Sequence, residues 1–335
     1  MLTERDFSVV RAVARYYVLN RPQIQRLCFP DDHQGRITRR RLQMLVDEKL
    51  VNRHRVLVHH PHVGSPGPVY FPSQKGFEFL AEHYEDERFL TGCTQQPQSH
   101  QILHWLAVSE THMAIDAAIA RQNQVRLLNW FNEWDVVNSE ESAPERRFRL
   151  YTLLRESPRL VCAPDSAFML AVGSHRKAFY LEQDRNTSGI RQIAASKTPG
   201  YAALSERQLH RRHFPDTTFD SFSVLAIVPT TQRRDALRRA LREKPGAALW
   251  KFAAATDLSS ETFLFAPVFY PVDGDAAPLV RLDSVDRSDT TLETQSETIQ
   301  PTETTNNKLE GQLAAARAAD DPSRPHGEDR RGAGA

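Results

Sequence analysis

The stretch RITRRRLQMLVDEKLVNRHRVLVHHPHVGSPGPVYF, residues 36–71, decides how this chain is read. Ile37, Leu42, Met44/Leu45 and Val46, with the aliphatic stem of Arg41, recur at helical spacing and predict a helix over 36–48 with these residues inward. Arg36, Arg39, Arg40 and Gln43 then fall on or near the opposite face, where they are free to reach phosphates or base edges. Val51, His54/Arg55, Val56 and Val58 alternate as a strand, 59–68 has turn chemistry, and Val69-Tyr70-Phe71 returns as a second strand. Helix, strand, turn, strand is the order of a winged helix-turn-helix, with Arg53 and Arg55 on its hairpin. Double-stranded DNA is the first partner this implies.

The flanking sequence extends the pattern. Thr3 can cap a helix whose apolar positions Phe7, Val10, Ala14 and Tyr17/Val18 carry it to about Leu19. Asn20-Arg21-Pro22 is a stop followed by a proline suited to a first helical turn, and Ile24, Leu27 and Phe29 mark a short second helix. Pro30-Asp31-Asp32 is a turn. Gln74-Lys75-Gly76 opens a further helix through Phe77, Phe79, Leu80 and Tyr84. The chain as a whole is almost neutral, with 43 Lys+Arg against 42 Asp+Glu, yet residues 1–77 hold thirteen basic and six acidic side chains. The positive charge therefore sits where the DNA-binding pattern sits. His59, His60 and His62 lie in a Pro-rich tip without acidic or thiol partners, which reads as a polar loop rather than a zinc site.

Composition excludes several classes. Cys28, Cys93 and Cys162 are odd in number and far apart, which fits neither a disulfide framework nor a zinc site. Met1 to Asp6 is charged rather than apolar, and no run of about 18 apolar residues follows, so a soluble cytoplasmic protein with no membrane partner is expected. At 335 residues the chain suits two domains plus extensions. The polar residues 85–99 break the pattern, placing a DNA-binding domain at 1–88, a linker at 89–99 and a second domain at 100–282. The remaining residues, 283–335, shift to Thr, Ser, Glu, Asp, Asn and Gln and are expected to form a disordered tail.

The second domain begins with a long helix from near His100 to Arg121. Strand-like runs follow at Val125–Trp134, Leu160–Val172 and Ala178–Asp184, then a helix over Ile190–His210, a strand over Phe222–Val228 and a helix over Thr231–Glu243. Trp250-Lys-Phe-Ala and Phe263–Tyr270 are candidate further strands, giving a mixed sheet flanked by helices. That order resembles the restriction-endonuclease-like core with its PD-(D/E)xK pattern, Pro164-Asp165 lying in the second strand and Glu182-Gln183-Asp184 in the third. Such a core needs two carboxylates on adjacent strands to hold a hard divalent cation beside the scissile phosphate. Asp165 and Glu182 would be those metal ligands, with Glu110 a possible third acidic partner and Glu133 a weaker one. The lysine position of the motif is Asp184. A third carboxylate there increases repulsion at the phosphate unless a basic group offsets it. Lys197 could reach back from the following helix, Arg191 is a second possibility, and Arg185 in a strand would point to the other face.

Taken together, the two halves resemble the replication-relaxation family of plasmid and mobile-element proteins. The resemblance covers roughly 1–230 and rests on Leu2-Thr3 through Arg53 and Tyr70-Phe71 to Lys75-Gly76. It continues through His100, Pro164-Asp165, Phe179-Tyr180-Leu181-Glu182-Gln-Asp184-Arg185 and Lys197-Thr-Pro-Gly-Tyr201. It implies a DNA-binding protein connected with replication or transfer, with replication or transfer proteins as further partners, and it gives no catalytic assignment. Arg233, Arg234, Arg238, Arg239 and Arg242 could widen the DNA surface, with Arg234, Arg238 and Arg242 sharing one side of a helix.

Three functions compete at this point. A non-catalytic accessory or regulatory factor would bind duplex DNA through Arg36, Arg39, Arg40, Gln43, Arg53 and Arg55 and need no cofactor. A metal-dependent nicking nuclease would use Asp165, Glu182, Asp184 and Lys197 with Mg2+ or Mn2+. A protein-interaction scaffold would bind no DNA at low salt.

Overall fold

Thr3 starts the first element as the sequence suggests, and Asp6 joins it there. The Thr3 backbone N–H donates to Asp6 Oδ2 over 2.7 Å, closing the first turn of α1, Glu4–Tyr16. The computed structural model describes residues 2–56 and 67–282. The expected loop tip with His59, His60 and His62, and the tail from 283, lie outside the described residues. The first helix stops three residues short of the expected Leu19. Tyr17 takes a positive φ of 67°, and its ring packs against Trp105 and Trp134 at 5.4 and 4.7 Å. Leu19–Asn20 then forms β1, so the apolar run Tyr16 to Leu19 serves first a helix and then a sheet. Tertiary pairing overrides the continued periodicity here.

Asn20 caps α2, Arg21–Cys28, accepting from the Gln23 N–H at 2.9 Å, with Pro22 in the first turn where its missing N–H costs nothing. Gly35, at φ 63°, turns the chain into α3, Arg36–Asp47. β2, Val51–His54, and β3, Val69–Pro72, pair antiparallel with Val51 opposite Pro72, and β1 joins the far edge of β3 in the order β1-β3-β2. Ser73 caps α4, Gln74–Tyr84. Thr38, Leu42 and Leu45 face the core shared with Val9, Val13, Leu19 and Ile24. The helix is thus rotated relative to the sequence-based expectation, and Ile37, expected inward, is 43 % exposed. Fully burying each such aliphatic side chain is worth roughly 1.5–3 kcal/mol.

A 3₁₀ turn at Glu87–Thr91 leads to α5, Ile102–Ala120. The chain continues through β4 (Val125–Asn132), α6 (Pro144–Arg147), β5 (Thr152–Arg155), β6 (Leu160–Cys162), β7 (Ser166–Val172) and β8 (His175–Gln183). α7 (Ile190–Glu206), α8 (His210–His213), β9 (Ser223–Val228), α9 (Thr231–Leu241), β10 (Trp250–Ala254) and β11 (Tyr270–Pro271) complete it. The main sheet has the order β11-β10-β9-β8-β7-β4. β4, β7 and β8 run antiparallel, while β8, β9 and β10 are parallel.

Three sequence-based expectations are corrected here. The run 160–172 is two strands, because Ala163-Pro164-Asp165 breaks it and sends β6 to a separate ribbon with β5. The helix from Ile190 ends at Glu206, with Gln208 at φ 55°. Residues 263–268 are turn and irregular chain, Phe269 forms an isolated antiparallel bridge with Ala277, and Tyr270–Pro271 pairs as strand with β10.

β8 buries both faces. Ala178 and Tyr180 point into the layer shared with α7 and α9, and Phe179 and Leu181 into the layer shared with α5. α5 also packs against the N-terminal helices: Asp116 pairs with Arg15 at 2.6 Å, and the Ser109 hydroxyl donates toward the carbonyls of Tyr16 and Val18. The described residues therefore form one compact unit. No helix among the described residues is long and apolar enough to cross a membrane.

Candidate functional site

Two sets of side chains stand out, and the first is the face of α3 and β2. Asp32 holds the start of α3, accepting from the backbone N–H groups of Arg36 and Thr38 at 3.1 and 2.7 Å and from the Thr38 hydroxyl. Arg36, Arg39, Arg40 and Gln43 are exposed, as are Arg53 and Arg55 beside β2. Arg53 donates to Gln43 Oε1 at 2.8 Å, which ties the helix face to the hairpin. Among the described residues, the Arg39 side chain reaches only the Gln34 carbonyl, at 3.3 Å. Arg41, two positions on, turns inward and binds the fully buried Asp6.

The second set gathers where β7 and β8 meet α5 and α7. Asp165 ends the loop before β7. Its backbone N–H donates to the Leu181 carbonyl at 3.1 Å, and its carbonyl accepts from the Glu133 N–H at 3.0 Å. The carboxylate then accepts from the Gln183 N–H at 2.6 Å and faces His104 Nε2 at 3.5 Å. Glu182 projects from β8. Its Oε2 lies 2.9 Å from Lys197 Nζ, and its Oε1 accepts from the Tyr201 hydroxyl at 2.6 Å. Lys197 also donates to the Ala163 carbonyl at 3.0 Å.

Lys197 and Tyr201 are four residues apart on α7 and so share a face. Gly200 between them allows the close approach, since a Cβ there would lie 2.7 Å from the Val161 carbonyl oxygen. His104, Asp165, Glu182 and Lys197 line a cavity of about 240 Å3 that also touches Asp184 and Arg185.

The electrostatics follow from burial and pairing. Burial pushes the Asp165 carboxyl upward, but the His104 contact and the charge of Lys197 outweigh it and hold the pKa below the ordinary value. His104 is depressed by burial yet raised overall by Asp165, with Glu133 and Glu182 adding. Burial raises Glu182; Lys197 pulls it back and the Asp165 charge raises it again, leaving it at about 7. Lys197 is raised by the two carboxylates despite its burial, so it stays an ammonium at neutral pH. Glu133 is raised by burial and by Asp165, and it accepts from the Trp105 indole N–H at 2.6 Å.

The structure thus brings Asp165, Glu182 and Lys197 together and sorts the remaining candidates differently. Asp184 is bound by Arg233, Nε to Oδ2 at 2.6 Å. Glu110 pairs with Arg26 and accepts from Gln23, away from the site, so Glu133 is the acidic neighbour of Asp165. Arg191 is exposed and outside the cavity, whereas Arg185, expected on the other face, lines it because the strand has ended at Gln183.

The shared side of α9 is committed to intramolecular contacts. Arg234 stacks 3.8 Å over Tyr270, Arg238 donates to the Pro271 and Gly274 carbonyls, and Arg242 pairs with Asp273 at 2.8 Å. Two members of the site escape sequence reasoning. His104 sits one turn beyond His100, and only the tilt of α5 over the sheet selects it. Tyr201 carries the faint signal of standing four residues after Lys197.

A family model described as replication-relaxation matches residues 10–244. Comparison with curated proteins and with solved structures gives no match.

Proposed function

The chain belongs to the replication-relaxation family, and from that premise we propose that it is a DNA-binding accessory or regulatory factor in the replication or transfer of a mobile element, engaging duplex DNA through an N-terminal winged helix. One contrast carries this proposal. Among the described residues, Arg36, Arg39, Arg40, Arg53 and Arg55 form no ion pair, while Arg41, Arg233, Arg234, Arg238 and Arg242 all do. Cations left without carboxylate partners on one exposed face are those available to phosphates. The order α1-β1-α2-α3-β2-β3 supports the winged-helix assignment, with α3 as the helix that enters the major groove. Replication or transfer proteins are the further partners proposed.

The test is duplex binding across a salt series. Arg39→Ala with Arg40→Ala is expected to weaken binding to all sequences alike and to reduce the slope of log K against log salt by about 2, close to one unit per phosphate contact. An unchanged slope would refute the assignment of this face. Absence of binding even at low salt would leave the scaffold function.

The convergence of Asp165, Glu182 and Lys197 favours a second function, a metal-dependent DNA nuclease of the PD-(D/E)xK type. The order α5-β4-β7-β8-α7-β9 supports a restriction-endonuclease-like core. The donor set argues against cleavage. No group of three His, Cys, Asp or Glu side chains suited to a metal ion occurs among the described residues. Glu182 is already bound by Lys197 and Tyr201, and Asp165 by His104 and Gln183. Mg2+ can work from one or two carboxylates and phosphate oxygens, but here it would have to displace the ammonium from Glu182. Supercoiled plasmid with Mg2+ or Mn2+ is expected to shift in mobility without nicking. Nicking abolished by Asp165→Ala would move the protein into the nucleases.

A further inference from the structure

Beside the carboxylate–lysine site lies a larger cavity, of about 420 Å3, that the proposed DNA-binding face does not use. This volume falls in the range of roughly 300–1,000 Å3 typical of small-ligand pockets. Its wall is aromatic. Tyr17, Trp105 and Trp134 pack on one another with ring centroids 4.7 to 5.4 Å apart, and Phe148 and Tyr151 line the same space. Some polar groups at the cavity are paired, as Glu133 is with Trp105 and Tyr17 with the Gln95 carbonyl, and others are open. The side-chain amides of Gln98 and Gln101 and the indole N–H of Trp134 make no hydrogen bond among the described residues, though all three residues line the cavity.

From this arrangement of aromatic faces and unpaired amides, we propose that the cavity receives one unstacked nucleobase of a bound DNA. A planar heterocycle needs a π-face to stack on and a donor–acceptor edge to satisfy. The half-buried Trp134, Phe148 and Tyr151 offer the first, Tyr17 and Trp105 being buried behind Trp134, and a glutamine amide, which presents C=O and NH2 side by side, offers the second. The charge pattern fits a base within and phosphates outside. Among the described residues no cation lines the cavity; Arg147 and Arg149 flank Phe148 in sequence and form no ion pair, Arg147 donating to the Ser139 and Glu141 carbonyls and Arg149 stacking on Phe131. Glu133 also lines the cavity, where its carboxylate accepts from the Trp105 indole N–H at 2.6 Å. Ala163 and Pro164 complete the wall immediately before Asp165, so a base held here would place its own backbone near the carboxylate–lysine cavity.

This inference rests on the duplex-binding proposal, and the experiment separates the two. Full-length protein is titrated with a fully paired duplex, and with the same duplex carrying one extrahelical 2-aminopurine, read by binding and by base fluorescence. The wild type is expected to favour the bulged duplex about tenfold, the factor that one stacked base supplies, and to quench its fluorescence. Trp134→Ala should abolish both effects while leaving paired-duplex affinity unchanged. Gln98→Ala with Gln101→Ala, the first exposed and the second half-exposed so that the aromatic packing stays intact, should reduce the preference several-fold. Arg39→Ala with Arg40→Ala should weaken both duplexes equally.

Paired-duplex binding without any bulge preference would overturn the base pocket and leave the DNA-binding proposal standing. Failure of the wild type to bind either duplex would overturn both. Free 2-aminopurine nucleoside is the last arm: if it binds as tightly as the bulged duplex, in a manner lost in Trp134→Ala, the pocket belongs to free nucleobases and the DNA source is refuted.

Discussion

Replacing Lys197 with methionine is expected to destabilise the protein by about 3–4 kcal/mol at pH 8, the lower part of the cost of breaking a buried ion pair from one side, because the Lys197 side chain is one-third exposed. The loss should be much smaller at pH 5. Methionine keeps the length and packing of the lysine stem but leaves Glu182 and Asp165 without the ammonium that sits 2.9 Å from Glu182. The sign of the pH dependence follows from the protons. Glu182 has an ordinary pKa of 4.5 and stands at about 7 in the folded chain, so between those values the folded state holds more protons and stability falls as pH rises. Removing Lys197 raises Glu182 further and extends this fall upward. The lysine itself is raised above its ordinary 10.5, so its contribution is fully present below that pH and is lost only above it.

Denaturant unfolding at pH 5, 6.5 and 8 measures the effect. A destabilisation that does not change with pH would show that Lys197 matters through packing rather than charge. Combining it with Glu182→Gln should recover more than half of the loss at pH 8, because the second uncompensated charge is then gone.

Asp6→Ala comes next in size, at about 3 kcal/mol near neutral pH, from a lost helix cap and a broken ion pair. For a domain of this size that corresponds to a fall in Tm of roughly 6–12 °C. Asp6 is fully buried and accepts from the Thr3 N–H and hydroxyl at 2.7 and 2.8 Å and from Arg41 Nε at 2.8 Å. One carboxylate therefore starts α1 and fixes the inner side of α3. Burial pushes its pKa up, but the Arg41 and Thr3 hydrogen bonds overcome this and hold it below the ordinary 3.8.

The stabilisation is accordingly present above that value and lost as pH falls through the lower folded pKa. The difference between wild type and Asp6→Asn should shrink on acidification, and a constant difference would assign the effect to shape alone. In an Arg41→Met background Asp6→Ala should cost only the cap, about 1 kcal/mol. The duplex affinity of Asp6→Asn should follow its stability, because Asp6 orients α3 without touching its exposed face.

Much of this architecture is legible in local sequence. The start of α3 at Arg36 follows from Gly35 and Asp32, the start of α2 from Asn20 and Pro22, and the start of α4 from Ser73. These signals act within one turn of helix. The failures share a different origin. Ile37 and Thr38 are adjacent, and periodicity alone cannot decide which is buried when Thr38 finds Asp32 for its hydroxyl. The apolar run 160–172 gives no sign that its two halves enter different sheets.

Charge was the least legible property. Arg39 and Arg242 look alike as residues in basic helical clusters, yet one faces no carboxylate among the described residues and the other meets Asp273 from a loop 31 positions away. Asp184 reads as part of a metal motif until Arg233, 49 positions on, is seen to hold it.

Sequence alone carried the starts of α2 and α4 and the helical character of 36–47. These depend on repeat distances and hydrogen bonds that span a few residues. Only the tertiary structure decided which charges remain open and which are neutralised, and that Asp165, Glu182, Lys197 and His104 share one cavity. The compensation of a charge depends on what packs opposite it, and that partner is brought from a distant part of the chain.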